Sequence, residues 1–354
     1  MTRVQRVNRF FLLLAAPVMG LLLCLMLFPP QIDLHLDTDS YKSPLTLSSS
    51  SGKLLQDLDA AEKSARSTTT SIKKTLNLYN QTTKTMSTIV QKASVQAQRP
   101  ESIYDTRIRS KLGRPIETVD SDKIRLELFR VNAVTYKGYA MKVKLKDPSA
   151  MRMSLAGEQL GSSETTLHAA QRYGAIAGIN AGGFADQNGK RYPLSTTMMD
   201  GQYLTGFQSS FKDLYFVGLN DSGKLIGGKF DRQDELDSLQ PAFGASFVPI
   251  LLENGRKTAI PAKWKAAPKR APRTIIGSYK DDQLIIFVID GYNETGGSGA
   301  TLEEIQSQLY KIGVVNAYNL DGGGSSSLVM NGRVVNHPSD GNLRPVPTSF
   351  LFFR

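Results

Sequence analysis

The stretch from Val314 to Ser327, Val-Val-Asn-Ala-Tyr-Asn-Leu-Asp-Gly-Gly-Gly-Ser-Ser-Ser, constrains the fold of this 354-residue chain more than any other. A short apolar run reads as a buried strand ending at Asp321, followed by three glycines and three hydroxyls. Gly322, Gly323 and Gly324 remove every Cβ where the strand ends. Backbone N–H groups can then approach a ligand closely, and anionic oxygens are what such groups hold best. Leu328-Val329-Met330 reads as the next strand, and Asn331-Gly332 turns it back into Arg333-Val334-Val335, the strongest short-range hairpin signal. For a glycine triplet alone, a flexible surface turn is the plain alternative; the acidic residue and the strands on both sides argue against it.

The sequence just upstream sets the partners of this loop. Leu284 to Ile289 is an apolar run ending at Asp290, and Thr301-Leu302-Glu303-Glu304 is a capping box. It opens a helix with Ile305, Leu309 and Ile312 on one face, which Gly313 ends. Strand 284–289, helix 302–312 and strand 314–320 have the lengths of one βαβ unit. Parallel strands would put Asp290 and Asp321 at carboxyl ends on the same sheet edge, where ligands of such sheets bind. Strand 274–278 precedes by the tight turn at Lys280-Asp281-Asp282, so it runs antiparallel and brings Arg273 to that edge. A second segment has the same plan. A helix ends at Tyr173-Gly174, a small-residue strand follows to Ile179, and then come Asn180-Ala181-Gly182-Gly183. A pseudo-repeat would deliver Asn180 and a second glycine loop to the site.

Two carboxylates, an arginine and glycine-loop amides suit cleavage of a sugar linked to phosphate. Glycoside cleavage uses a pair of carboxyl groups, and a guanidinium fork holds phosphate oxygens. Taken singly, each aspartate could be a strand-end turn residue and Arg273 a surface ion-pair partner. Convergence on one edge favours the functional reading. His337, in Asn336-His337-Pro338-Ser339-Asp340, is a candidate acid or base, whereas His168 lies mid-helix and reads as packed or solvated. A divalent cation, calcium or magnesium, held by Asp290, Asp321 and carbonyls is compatible with the carboxylates, although no ligand loop of known spacing occurs. Neither GxxxxGK[ST] nor a strand-to-helix GxGxxG is present.

A net charge of +11 and a pI near 9.5 favour anionic surroundings. No zinc-finger, helix-turn-helix or RNP-like pattern points to nucleic acid. Phospholipid headgroups or anionic cell-surface glycans and sugar-phosphate polymers fit better. The single cysteine, Cys24, excludes an internal disulfide. Arg3, Arg6 and Arg9 precede the apolar run Phe10 to Phe28, which is just long enough for a membrane span with its N-terminus cytoplasmic. A cleaved signal peptide is the rival reading, but Pro29-Pro30 follow in place of a small-x-small site. From Leu55 to Val90 an alternating three-four spacing of mostly apolar residues predicts a five-heptad helix or weak coiled coil that Arg99-Pro100 closes. A spacer is its plainest role, and a homodimer through it stays open. The expected organisation is a cytoplasmic 1–9, an anchor 10–28, a helical stalk 29–100 and a domain 101–354. The fold class expected for the domain is mixed α+β: a mixed sheet with crossover helices and several hairpins.

Five ordered strings resemble the phosphodiester glycosidase family: Ile179-Asn-Ala-Gly-Gly-Phe184; Pro272-Arg-Thr274 with Gly277; Asp290-Gly291 with Ser298-Gly299; Asn319-Leu-Asp-Gly-Gly-Gly-Ser-Ser326 with Asn331-Gly332; and Arg344-Pro-Val-Pro-Thr348. They span roughly residues 120–354, outside the anchor and stalk. The resemblance implies hydrolysis of a sugar-1-phosphodiester to free sugar and a phosphomonoester. It carries Asp290, Asp321 and Arg273 over as catalytic groups. Asn180, Gly182, Gly183, Asn319, Gly322, Gly323, Gly324, Ser325, Ser298 and Arg344 become substrate-binding groups, with His337 beside them. The loop after Asp290 lacks the arginine often found there, which bears on sugar specificity more than on reaction class. The expectation is therefore a membrane-anchored extracytoplasmic hydrolase acting on a cell-surface glycan. Its alternatives are a non-catalytic glycan-binding module of the same fold or an ordinary O-glycosidase.

Overall fold

The computed structural model describes residues 15–24, 26–27, 47–211, 213–291 and 299–354. Residues 15–24 and 26–27 are helical. Among the described residues no helix is long and apolar enough to cross a membrane; the expected span 10–28 lies only partly within them.

The chain divides into two compact units, Met1–Gln91 and Lys92–Arg354. A helix, Leu47–Leu112, covers the predicted heptads. Side chains from 51 to 91 are exposed, including Leu55, Ile72, Leu76, Met86 and Val90. The helix does not close at Arg99-Pro100 but continues to Leu112. A proline inside a helix costs about 3 kcal/mol, and here tertiary contacts offset it. Ile108 is buried, with Tyr104 and Leu112 packed beside it. Asp105 meets Lys142 at 2.5 Å and Arg109 meets Glu127 at 2.7 Å. Lys142 and Glu127 are themselves buried and lie 3.0 Å apart.

The main sheet has eight strands, in the order Glu117–Asp120, Ile124–Asn132, Lys137–Leu145, Leu284–Ile289, Arg273–Ser278, Asn316–Asn319, Ile250–Glu253, Arg256–Lys257. Strands Leu284–Ile289 and Asn316–Asn319 flank Arg273–Ser278 on either side, each antiparallel to it. They are therefore parallel to one another, as the βαβ spacing requires, joined by helix Leu302–Ile312 with its capping box. The sheet itself is not mixed. Among the described strands every hydrogen-bonded pair is antiparallel, because a third strand sits between the two parallel ones.

A five-stranded sheet, ordered Arg333–Val334, Leu328–Met330, Ala177–Asn180, Thr348–Phe352, Met151–Leu155, carries the Asn180 segment. A second five-stranded sheet is built around Tyr215–Asn220 and Pro241–Phe247, and strands Phe184–Gln187 and Lys190–Pro193 form a separate two-stranded ribbon. Residues from the three large sheets share one core, among them Leu126, Ile286, Ile179, Phe350, Val217 and Phe243. A second core lies where helix Leu302–Ile312 and Ile108 join Phe287, Ile275 and Leu251. The central strands are thus buried on both faces. That is why they read as continuous apolar runs rather than alternating ones.

Candidate active site

Antiparallel pairing on both sides of Arg273–Ser278 brings the residues of interest to one end of the main sheet. Arg273 lies opposite Ile289, next to Asp290, while Ile275 lies opposite Asn319. The N–H of Leu320 donates to Thr274 O at 2.8 Å, and that of Gly323 donates to Pro272 O at 2.9 Å. Asp290 and Asp321 therefore sit two strand spacings apart, on the order of 10 Å between backbones, with the start of the Arg273 strand between them.

Asp321 is the perturbed carboxyl. Burial pushes it up to about 6, against the Ser325 hydroxyl, the Gly322 N–H and the positive charges of Arg344 and Arg191. The Gly322 N–H donates to its Oδ1 at 3.0 Å. Asp290 is largely buried, and its Oδ1 accepts from the His337 N–H at 2.9 Å. The His337 ring is exposed, with Nδ1 3.7 Å from the same oxygen. His168 is also exposed and pairs with Glu164, just ahead of its helix, at 2.7 Å.

Asn180, expected at the substrate, is fully buried and tied into the framework instead. Its Nδ2 donates to Asp321 O at 2.6 Å, and its Oδ1 accepts from Thr274 Oγ1 at 2.8 Å and from Ser327 N–H at 3.0 Å. The Asp321 N–H in turn donates to Ala181 O at 3.1 Å. The two glycine loops of the pseudo-repeat do meet, although their strands belong to different sheets. Gly182 and Gly183 are packing glycines: a Cβ on them would stand 2.6 Å from Ala245 and from the Phe247 ring. Asn319 is buried with Nδ2 donating to Val248 O at 2.6 Å.

Arg273 is also committed to main chain. Nη2 donates to Pro268 O at 2.9 Å and Nε to Ala300 O at 3.4 Å. Ser298 lies outside the described residues. The Ser326 and Thr348 hydroxyls and Asn319 Oδ1 are buried with no hydrogen-bond partner among the described residues, while the Ser325 hydroxyl faces the Asp321 carboxyl. Buried polar atoms are nearly always paired, so the Ser326 hydroxyl on the loop beside Asp321 suits a bound polar group. No group of three or more His, Cys, Asp or Glu that could hold a metal ion occurs among the described residues.

Arg344 lies over the glycine loop, held by Asp340 at 2.9 Å. A Cβ on Gly324 would collide with the ends of both side chains. Arg191, on the 184–193 ribbon, was not singled out in the sequence. It follows the Asn188-Gly189 turn of the ribbon, and only the folded ribbon carries it to the site.

A family model described as phosphodiester glycosidase matches residues 173–353, half of the chain and all of these groups. The chain is 47% identical over 139 residues to the Homo sapiens N-acetylglucosamine-1-phosphodiester α-N-acetylglucosaminidase, covering 35% of this chain and 26% of that protein. It is 30% identical over 182 residues to the Mus musculus protein of the same name, covering 46% and 34%. Over 191 residues it is 30% identical to the SPbeta prophage-derived uncharacterized protein YomE of Bacillus subtilis (strain 168), covering 52% and 28%. The chain thus spans about a quarter to a third of the length of the curated relatives it matches. The solved catalytic domain of the zebrafish enzyme, auto-inhibited by its pro-peptide, aligns with a TM-score of 0.56 at 22% identity, covering 67% of this chain and 88% of that one. The two share a fold.

Proposed function

Because the chain belongs to the phosphodiester glycosidase family, we propose that it hydrolyses a sugar-1-phosphodiester, releasing the sugar and a phosphomonoester. The observation that carries this reading is the carboxyl of Asp321, raised to about 6, on the same sheet edge as Asp290. Near pH 6 about half of Asp321 keeps its proton, falling to about a tenth at pH 7, and that fraction can act as the acid. Asp290 is the carboxylate partner of the pair.

In the reaction the bond between the anomeric carbon and the phosphate oxygen breaks and the electron pair leaves with the phosphate. Asp321 hands its proton to that oxygen. Water supplies the new bond at the anomeric carbon and its proton ends on a carboxylate, so atoms and charge balance. Phosphate is already a good leaving group, so holding its negative charge matters alongside acid assistance.

The charge of +11 suits an anionic cell-surface glycan or sugar-phosphate polymer as substrate. The apolar run behind three arginines suits a membrane anchor with the catalytic domain outside. The exposed heptad face of the long helix suits a stalk that pairs with a second copy. Membrane fractionation and sedimentation of the full chain test these two placements.

For the reaction, the test is incubation of the full chain with N-acetylglucosamine-1-phosphodiesters, with and without EDTA, beside Asp321→Asn. Free sugar and phosphomonoester, lost in the variant, support it, and the EDTA arm reports any metal need. Glycan binding by both proteins with no release would leave a binding module. Cleavage of simple aryl glycosides in preference would leave an ordinary O-glycosidase.

A further inference from the structure

The guanidinium expected to hold phosphate, Arg273, is engaged by the carbonyls of Pro268 and Ala300. Two other arginines act on the Asp321 carboxyl at the glycine loop. Arg191 lies on the ribbon that follows the Gly182-Gly183 segment, and its side chain is fixed at three points. Nε donates to Asp186 at 3.0 Å, Nη1 donates to the Pro345 carbonyl, and the guanidinium lies over the Phe184 ring, 4.7 Å from its centroid. Its own N–H donates to Gly161 O at 3.1 Å, anchoring the ribbon. Nη2 of Arg191 has no hydrogen-bond partner among the described residues.

Pro345 is the neighbour of Arg344, whose Nη2 lies against Gly324. The two cations are therefore tied together on one side of the loop that carries Asp321. Both act electrostatically on the Asp321 carboxyl. Ser326 places an unpartnered hydroxyl on the same loop, and Ser325 turns its hydroxyl to the Asp321 carboxyl. Two guanidinia, one immobilised by stacking and main chain, with one free hydroxyl on the loop, form an anion site next to a carboxyl acid. Preorganised forks hold tetrahedral oxyanions best, because little motion is lost on binding.

We propose that Arg191 and Arg344, rather than Arg273, grip the phosphate of the substrate, and that Arg191 makes the site select phosphodiesters. This assignment rests on the reaction proposed above, but the anion site can be tested apart from it.

Inorganic phosphate is titrated calorimetrically into the full chain and into Arg191→Gln, Arg344→Gln and Arg191→Lys, alongside steady-state kinetics on the phosphodiester. Loss of one charged hydrogen-bonding partner should weaken phosphate binding roughly tenfold. KM for the diester should rise by a similar factor, with a smaller change in kcat. Arg191→Lys, which keeps the charge but not the fork, should fall between. It carries the test if Arg191→Gln fails to fold.

Unchanged phosphate affinity and KM in the Arg191 variants would overturn the proposal, as would absence of phosphate binding to the wild-type chain. Arginine-dependent phosphate binding without hydrolysis of any sugar phosphodiester would keep the anion site and reject the hydrolase. Hydrolysis indifferent to Arg191 would do the reverse.

Discussion

The side-chain amide of Asn180 donates to the main-chain carbonyl of Asp321 at 2.6 Å, joining two loops 141 positions apart in sequence. Oδ1 of the same amide holds Thr274 and the N–H of Ser327, so one buried side chain links the main sheet, the neighbouring sheet and the glycine loop. Asn180→Ala would leave a buried hydroxyl, N–H and carbonyl short of a partner. A loss of about 3 kcal/mol is expected, read as a lower denaturant midpoint. Turnover should fall further than occupancy of the folded state explains.

Asp321→Asn should abolish turnover while making the fold more stable. The folded carboxyl titrates near 6 and the unfolded one near 3.9. The folded state therefore binds more protons between these values, and stability falls as pH rises through that window. Above it the ionised carboxylate costs about 3 kcal/mol. The amide should recover much of this at pH 7.5, and little at pH 3.5, where the wild-type carboxyl is protonated in both states. Thermal unfolding at the two pH values measures the difference. Equal destabilisation at both would contradict the assignment.

The same carboxyl sets the pH dependence of rate. As the proton donor it must be protonated, so kcat should decline as pH rises through about 6. Arg191→Gln removes a charge that lowers this group, so its alkaline limb should move to higher pH. A pH–rate profile of both proteins reads the shift, and a limb that stays in place would separate Arg191 from Asp321.

Gly324→Ala should fold. The atoms its Cβ would meet are the ends of Arg344 and Asp340, which can swing away. The displaced Arg344 should raise KM for the phosphodiester several-fold while the unfolding midpoint moves little. The two measured together test whether the glycine serves the site or the framework.

Lys142→Met should be the most destabilising of these changes. It would take from Asp105 its closest cation and from Glu127 a buried one, with Arg109 still beside both, and breaking a buried pair costs about 3–5 kcal/mol. Burial pushes both carboxyls up, but Lys142 and Arg109 more than offset it, so both titrate below their ordinary values. Their stabilisation is present above the unfolded carboxylate range and is lost as pH falls through the lowered folded values. An acid titration of unfolding in wild type and variant should therefore converge at low pH.

The converging edge was legible because its signals are local. A six-residue apolar run, a Thr-x-x-Glu cap, a glycine stop and a tight turn at Lys280 fix the directions of three strands without any long-range information. Asn331-Gly332, Asn254-Gly255 and Asp200-Gly201 likewise make hairpins where their dipeptides stand. What escaped depends on distant partners. Nothing near Pro100 tells that Asp105, Ile108 and Arg109 will be captured by Glu127 and Lys142 and keep the helix going. Asn180 reads the same whether its amide faces a ligand or a carbonyl 141 residues away. Arg273 stands in the Pro272-Arg273-Thr274 string that reads as part of the site, yet carbonyls at 268 and 300 occupy its fork. The Asn188-Gly189 turn announces a hairpin around Arg191 but nothing local tells that it docks on Pro345.

The ribbon Phe184–Pro193 shares no strand with the three larger sheets and touches Gly161 through one isolated bridge. Its length and sequence can therefore change without shifting the register of any core strand, while the Asn180 clasp stays where it is. Specialisation is thereby uncoupled from folding: a family built on this frame can try new substrates by exchanging one short ribbon, and a protein engineer can graft it from relative to relative with the acid left in place.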